Sequence, residues 1–162
     1  MPDWKAAPIF GAPDPQLPCI VRPSVYALIC DAAGRLAIVR TGSGAYLLGG
    51  GIEGTESPED AVCRETREEC GLTIVPGSWR RAAIDHITVP GEGAHFEKRS
   101  VFCDAAVVAL AFDSIEIDHT LIWLPPHDAL AALTPLGHRW AVTEWMNDRS
   151  TTPPSRPALQ RS

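Results

Sequence analysis

The sequence has no C-x-x-C pair and no even, regularly spaced set of cysteines. Cys19, Cys30, Cys63, Cys70 and Cys103 are 5 in number and irregularly placed, which argues against a zinc ribbon, a thioredoxin-like site or a complete disulfide framework. Three of them sit inside apolar or amphipathic runs, where a free thiol behaves as a small hydrophobe. Reduced, structural cysteines in a reducing compartment are therefore expected. No apolar run approaches the ~20 residues that span a bilayer, and no charged-then-apolar leader pair opens the chain, so a cytoplasmic protein without a membrane partner is expected. Basic clusters are also missing. Arg80-Arg81 is too short to make a patch, and the formal net charge of −6 opposes broad attraction to nucleic acid or anionic lipid. An acidic protein acting on an anionic substrate must offset the repulsion locally, most simply with a bound divalent cation.

What is present has an ordinary globular balance. Of 162 residues, 45% are apolar and 21% charged, which suits one domain with a real hydrophobic core. Residues 1–20 carry Pro2, Pro8, Pro13, Pro15 and Pro18 and read as an extended arm. Residues 148–162, rich in Ser, Thr, Pro and Arg and without aromatics, read as a disordered tail. A single domain over 21–147 remains, with no internal repeat.

Strand patterns come first in that domain. Ser24 to Cys30 is a nearly continuous apolar run, Asp31-Ala32-Ala33-Gly34 a turn, and Leu36 to Val39 the returning strand of a hairpin. Ala45 to Leu48 reads as a short strand ending in a loop, Gly49-Gly50-Gly51. Ala82 to Val89 and Ser100 to Phe112 are strand-like around the loop Pro90 to Gly93, and Leu121 to Leu124 is a short strand. Asp128 to Leu133 and Gly137 to Met146 read as helices. With a strong helix between the sheet segments, the fold class is α/β and layered.

That helix lies within Gly50 to Leu72, GGIEGTESPEDAVCRETREECGL. Ser57 suits the N-cap, Pro58 the first helical position, Glu59 and Asp60 the positive end of the dipole, and Gly71 a left-handed stop. About 13 residues of helix follow, near the average length. Glu65, Glu68 and Glu69 are spaced i, i+3 and i+4 and share one face within a sector of about 100°. Like charges so placed cost a few tenths of a kcal/mol per pair. The pattern is compatible with a solvated acidic face and with a site for a hard cation such as Mg²⁺, which takes oxygen ligands and keeps waters and phosphates in its shell. Spacing alone does not decide between them. The preceding glycines permit close backbone approach, although a glycine run is more often a tight turn than a ligand site.

The segment resembles the Nudix box, G-x5-E-x7-R-E-U-x-E-E-x-G-U with U a bulky or aliphatic residue. Gly50, Glu56, Arg64, Glu65, Thr66, Glu68, Glu69, Gly71 and Leu72 fill the pattern at every spacing, with Thr66 the mildest departure. Leu47-Leu48-Gly49-Gly50 stands where many members have Leu-Pro-Gly-Gly. The resemblance implies an α/β/α sandwich around a central mixed β-sheet. It also implies hydrolysis of the pyrophosphate bond in a nucleoside diphosphate linked to another group. Glu65, Glu68 and Glu69 would bind Mg²⁺ or Mn²⁺, helped by the carbonyl of Gly49. Arg64 would orient the acidic cluster through Glu56 or Glu68. A carboxylate would take the proton of the attacking water: a box glutamate, or one from a later loop, where Glu97 is favoured slightly over Glu92 and exposed surface is the competing reading for both.

Outside the box the signals are weaker. His86 and His95 flank the loop expected on the substrate side and are candidates to contact a base or ribose, and Tyr46 and Phe96 are candidates to stack on a base, with Tyr46 just ahead of the glycines. For the histidines, ordinary polar surface or a satisfied hydrogen bond is the stronger reading, and for Tyr46 packing into the core weighs at least as much. Trp123, Trp140 and Trp145 are assigned to packing of the C-terminal helices, and His138 and Arg139 carry no motif. Among substrates, (oxidised) nucleoside triphosphates are preferred on size and family habit. ADP-ribose, nucleotide sugars and dinucleoside polyphosphates stay open. A catalytically silent ligand sensor is the alternative of another class, opposed by the intact set of box glutamates. A homodimer is expected, as among many small enzymes.

Overall fold

The computed structural model of the chain describes residues 2–89, 91–110 and 117–151. Along them lie β1 (Ile9–Phe10), β2 (Cys19–Ile29), β3 (Leu36–Thr41), β4 (Gly44–Tyr46), β5 (Leu48–Gly51), α1 (Pro58–Cys70), β6 (Leu72–Thr88), β7 (His95–Leu110), β8 (Thr120–Leu124), α2 (Pro126–Ala132) and α3 (Leu136–Thr151). A five-stranded sheet runs β1-β6-β7-β2-β5, and a three-stranded sheet runs β4-β3-β8. The larger sheet is mixed. β2 lies parallel to β7 and β1 parallel to β6, while β6/β7 and β2/β5 are antiparallel. None of the described helices is long and apolar enough to cross a membrane.

The apolar run of β2 is continuous because both its faces are covered. Val25, Ala27 and Ile29 enter a core with Ala61 and Val62 of α1, and Tyr26 and Leu28 enter a second core with Ala141, Val142 and Trp145 of α3. In β3, Ala37 belongs to the first core and Leu36 and Ile38 to the second. The α/β/α layering follows from that division. Trp140 and Trp145 do pack on the C-terminal helix side, but Trp123 joins the α1-side core. Its position on β8 opposite Ala37 sends it there.

Several boundaries differ from those read in the sequence. The segment 45–48 is two strands: β4 belongs to the smaller sheet and β5 to the larger, with Leu47 fully buried at the crossover. Gly49, Gly50 and Gly51 are strand residues at the sheet edge, paired with Tyr26, Val25 and Ser24, where a loop was expected. β2 starts earlier than expected and runs through Pro23. The carbonyl of Pro23 accepts from Ile52 N–H at 3.0 Å, and its ring nitrogen, on the same side, meets a neighbour whose ladder ends at Ser24. A missing donor is tolerated at such a position. β6 begins directly after Gly71, which lies at φ 66° and ends α1. The tail expected from Asp148 starts later, since α3 continues to Thr151; residues 152–162 lie outside the described residues, as do 111 and 112 at the end of the expected strand.

Candidate active site

The site is assembled where α1 packs under β5. The helix starts as its sequence requires: Ser57 Oγ accepts from Asp60 N–H at 3.1 Å, Pro58 fills the first turn, and Glu59 and Asp60 face the positive dipole end. Ala61, Val62 and Thr66 are buried against the sheet. Thr66 stands at an apolar position of the box, and its hydroxyl is satisfied by donating to Val62 O at 2.9 Å. The buried polar group therefore carries little cost. With that face inward, the next sector carries the glutamates toward β5.

Both strand glycines, Gly49 and Gly50, have close neighbours, and only Gly49 meets backbone. A Cβ at Gly50 would stand 2.5 Å from Glu65 Cδ, and one at Gly49 would stand 2.1 Å from Val25 O. The two glycines thus leave room for a carboxylate and for β2 respectively. Gly49 N–H donates to Glu69 Oε2 at 3.1 Å, and Glu69 is buried. Arg64 binds Glu56 with both prongs of its guanidinium, Nε to Oε1 at 3.0 Å and Nη2 to Oε2 at 2.8 Å. Its Nη1 reaches Glu65 Oε1 at 2.9 Å and Glu68 Oε2 at 3.1 Å, and its Nη2 reaches Gly51 O at 3.0 Å. The fork geometry suits Arg and no other cation. Hydrogen bonding from Arg64, then from Glu53 N–H, holds the Glu56 carboxyl at about 2. The same contact, with Glu56 first among its causes, pushes the Arg64 guanidinium further up.

Other residues named from the sequence lie apart from this cluster. Glu97 is on β7 beside Val21 of β2, on the same sheet face as Val101 and Cys103, and is bound to Arg99 Nε at 2.6 Å. Gly50 stands opposite Val25, so Glu97 is four positions away along β2, about 13 Å at the usual strand rise. Glu92 forms an exposed pair with Arg22 at 3.7 Å. His95 is buried against His86, ring centroids 5.5 Å apart, and Phe96 is buried under the Arg22 guanidinium. Tyr46 bonds Ser43 through its hydroxyl and turns its ring edge toward His138. His138 is buried, accepts Leu47 N–H on Nδ1 at 3.1 Å and packs on Tyr26 at 4.1 Å.

One residue near the site had no signal in the sequence. His119 precedes β8 and brings Nε2 to 3.8 Å from Glu69 Oε1. It stands far from the box in sequence and belongs to no motif, so only the packing of β8 beside α1 reveals it.

The fold and the box together meet an independent comparison. A family model, the NUDIX domain, matches residues 21–146. The chain belongs to the NUDIX family. No curated protein matches it. Among solved structures, the ORF135 protein of Escherichia coli is 22% identical with TM-score 0.60, covering 88% of this chain and 99% of that one. A MutT protein from Methanosarcina mazei is 24% identical with TM-score 0.59, covering 86% and 100%. The dihydroneopterin triphosphate pyrophosphohydrolase of Escherichia coli is 15% identical with TM-score 0.57, covering 80% and 99%. At these identities the likeness establishes the NUDIX fold.

The donor set of this NUDIX site is hard. Three carboxylates and strand carbonyls suit Mg²⁺ or Mn²⁺, and the Gly50 recess receives Glu65 beside them. Among the described residues no three His, Cys, Asp or Glu side chains are grouped so as to hold a metal ion by themselves.

Proposed function

We propose that this NUDIX hydrolase cleaves the pyrophosphate bond of a nucleoside diphosphate joined to another group, with (oxidised) nucleoside triphosphates as the preferred class. Glu65, Glu68 and Glu69, with the Gly49 carbonyl, would hold the divalent cation. When bound, it neutralises the diphosphate, polarises a phosphoryl oxygen and lowers the pKa of an attacking water. The observation that carries this reading is the Arg64 knot, in which one guanidinium ties Glu56, Glu65, Glu68 and Gly51 together. Arg64 is a positioning residue: it fixes the carboxylates of Glu56, Glu65 and Glu68. Glu69 is anchored under β5 by Gly49 N–H, so its orientation is preset. A carboxylate of this set accepts the proton of the attacking water. Glu97, held by Arg99, stands outside the set.

The test is a release assay with Mg²⁺ over nucleoside triphosphates, 8-oxo-dGTP, ADP-ribose, nucleotide sugars and dinucleoside polyphosphates. Dihydroneopterin triphosphate joins the panel because a structural neighbour is named for it. Glu69→Gln serves as the blank. Turnover of one class should fall by at least about 10³-fold in Glu69→Gln, of the order seen when a preorganised electrostatic group is lost. It should vanish with EDTA and return with Mg²⁺ or Mn²⁺. Turnover that survives chelation, or equal turnover in folded Glu69→Gln, overturns the reading.

A further inference from the structure

β7 outruns the strand on one of its sides. β2 pairs with it in parallel from Cys19 opposite His95 to Ile29 opposite Ala105 and stops there, while β6 accompanies it on the other side as far as Leu72 opposite Leu110. From Ala106 to Leu110, β7 therefore has a paired strand on one side only among the described residues. The backbone N–H and C=O groups directed to the other side form an open sheet edge.

Every residue from Ala106 to Leu110 is exposed, Val108 at 60% and Leu110 at 66%. Val75 of β6, opposite Ala106, is exposed as well, whereas Leu72 and Ile74 are buried on the α1 side. Proteins blunt such an edge with charge, proline or a bulge. Ala105 to Leu110 holds no charge and no proline. A bulge is present, since Thr73 and Ile74 pair with Ala109 and Val107 and leave Val108 without a partner on β6. Yet the bulged residue is itself the exposed valine, which adds apolar surface to the edge.

Two properties of the segment select its occupant. The chain carries a formal net charge of −6, so copies of it repel, and a contact between them belongs where neither presents charge. Ala106-Val107-Val108-Ala109 also reads the same in both directions. About a two-fold axis between Val107 and Val108, antiparallel pairing sets Val107 against the partner's Val108 and Ala106 against the partner's Ala109. Such a contact is isologous and closed, as a two-fold dimer requires, and valine suits a strand.

We propose that residues 106–110 are the contact surface of a homodimer, formed by antiparallel pairing of this edge with the same edge of a second copy. The contact is a property of the sheet and stands apart from the hydrolytic reading. A surface of so few residues gives a weak, concentration-dependent dimer. The test is sedimentation equilibrium of the full chain over the micromolar to millimolar range. Val108→Lys charges the edge at an exposed position, and Ile9→Lys does the same at an exposed isoleucine on β1. A monomer–dimer equilibrium is expected, weakened at least tenfold by Val108→Lys and unchanged by Ile9→Lys. Amide exchange of residues 106–110 should slow as the protein is concentrated. A chain that stays monomeric throughout overturns the proposal, whether its own residues 111–116 or a different protein cover the edge. So does a dimer that Val108→Lys leaves intact, one that Ile9→Lys weakens equally, or one whose slowed amides lie elsewhere. Should Val108→Lys fail to fold, Leu110→Lys tests the same edge.

Discussion

Gly49 and Gly50 are adjacent and identical in type, yet substitution should damage different things. Gly49 sits at φ 137°, and a Cβ there would strike the backbone of β2. Gly49→Ala should cost stability on the order of 1–3 kcal/mol, seen as a lower urea midpoint. The Cβ of Gly50→Ala would instead meet the end of the Glu65 side chain, which can swing aside. Its thermal midpoint should stay within about 2 °C of wild type while turnover drops by about 10²-fold, the scale of a misplacement near 1 Å. Equal activity in a folded Gly50→Ala would show that the position of Glu65 does not matter. Arg64 makes the same point for a charged residue: its value lies in the number of partners it fixes, and a point charge could not reproduce that.

At the scale of elements, α1 is defined at both ends by local chemistry. Ser57 Oγ caps the start and also donates to Asp60 Oδ2 at 2.7 Å; Gly71 N–H returns to Arg67 O at 2.9 Å at the end. Ser57→Ala should cost about 1 kcal/mol, a drop of roughly 2–4 °C in a domain of this size. Differential scanning calorimetry checks it, and an unchanged midpoint would mean that the cap is not limiting. The cap lies at the opposite end of α1 from Glu68 and Glu69, so KM should be unchanged. The strands behave differently. β5 is short, glycine-rich and at the edge, and it is a strand only because β2 offers a ladder.

At the scale of the molecule, His138 joins α3 to the crossover between the two sheets by accepting Leu47 N–H on Nδ1. Burial, and then Lys98, lower its pKa to about 3. The folded pKa is below the ordinary value, so the unfolded chain takes up the proton first. Its contribution to stability is complete above about 6.5 and is lost as pH falls from there toward about 3. The slope should approach one proton, about 1.4 kcal/mol per pH unit. Glu56 adds its own loss only below the ordinary carboxylate range, on the way to about 2. Burial raises the pKa of Asp85, whose contribution is lost as pH rises and so has the opposite sign. Urea unfolding between pH 8 and 5 therefore isolates the histidine only by comparison with a variant that lacks it. His138→Asn keeps an acceptor and does not titrate, so its stability should be lower at pH 8 but flatter over that window. Parallel slopes for the two proteins would remove His138 as the source.

Resemblance to the Nudix box already implied the tie from Arg64 to Glu56, and the residues alone carried the α/β class, the caps of α1 and the shared face of Glu65, Glu68 and Glu69. These depend on short-range spacing, helical periodicity and turn chemistry, which are local and written in order along the chain. The sequence also located the apolar strands β2 and β3, because two covered faces leave a readable run of apolar residues. Tertiary packing settled that the three glycines form an edge strand, that Trp123 packs on the α1 side and that His119 reaches Glu69. The same holds for the separation of Glu97 from the cluster and for the edge that β7 leaves open beyond Ala105 among the described residues. Each of these depends on which strand pairs with which and on the face a side chain takes. Pairing partners far apart in sequence leave no local trace, and a shift of one residue in register reverses the face.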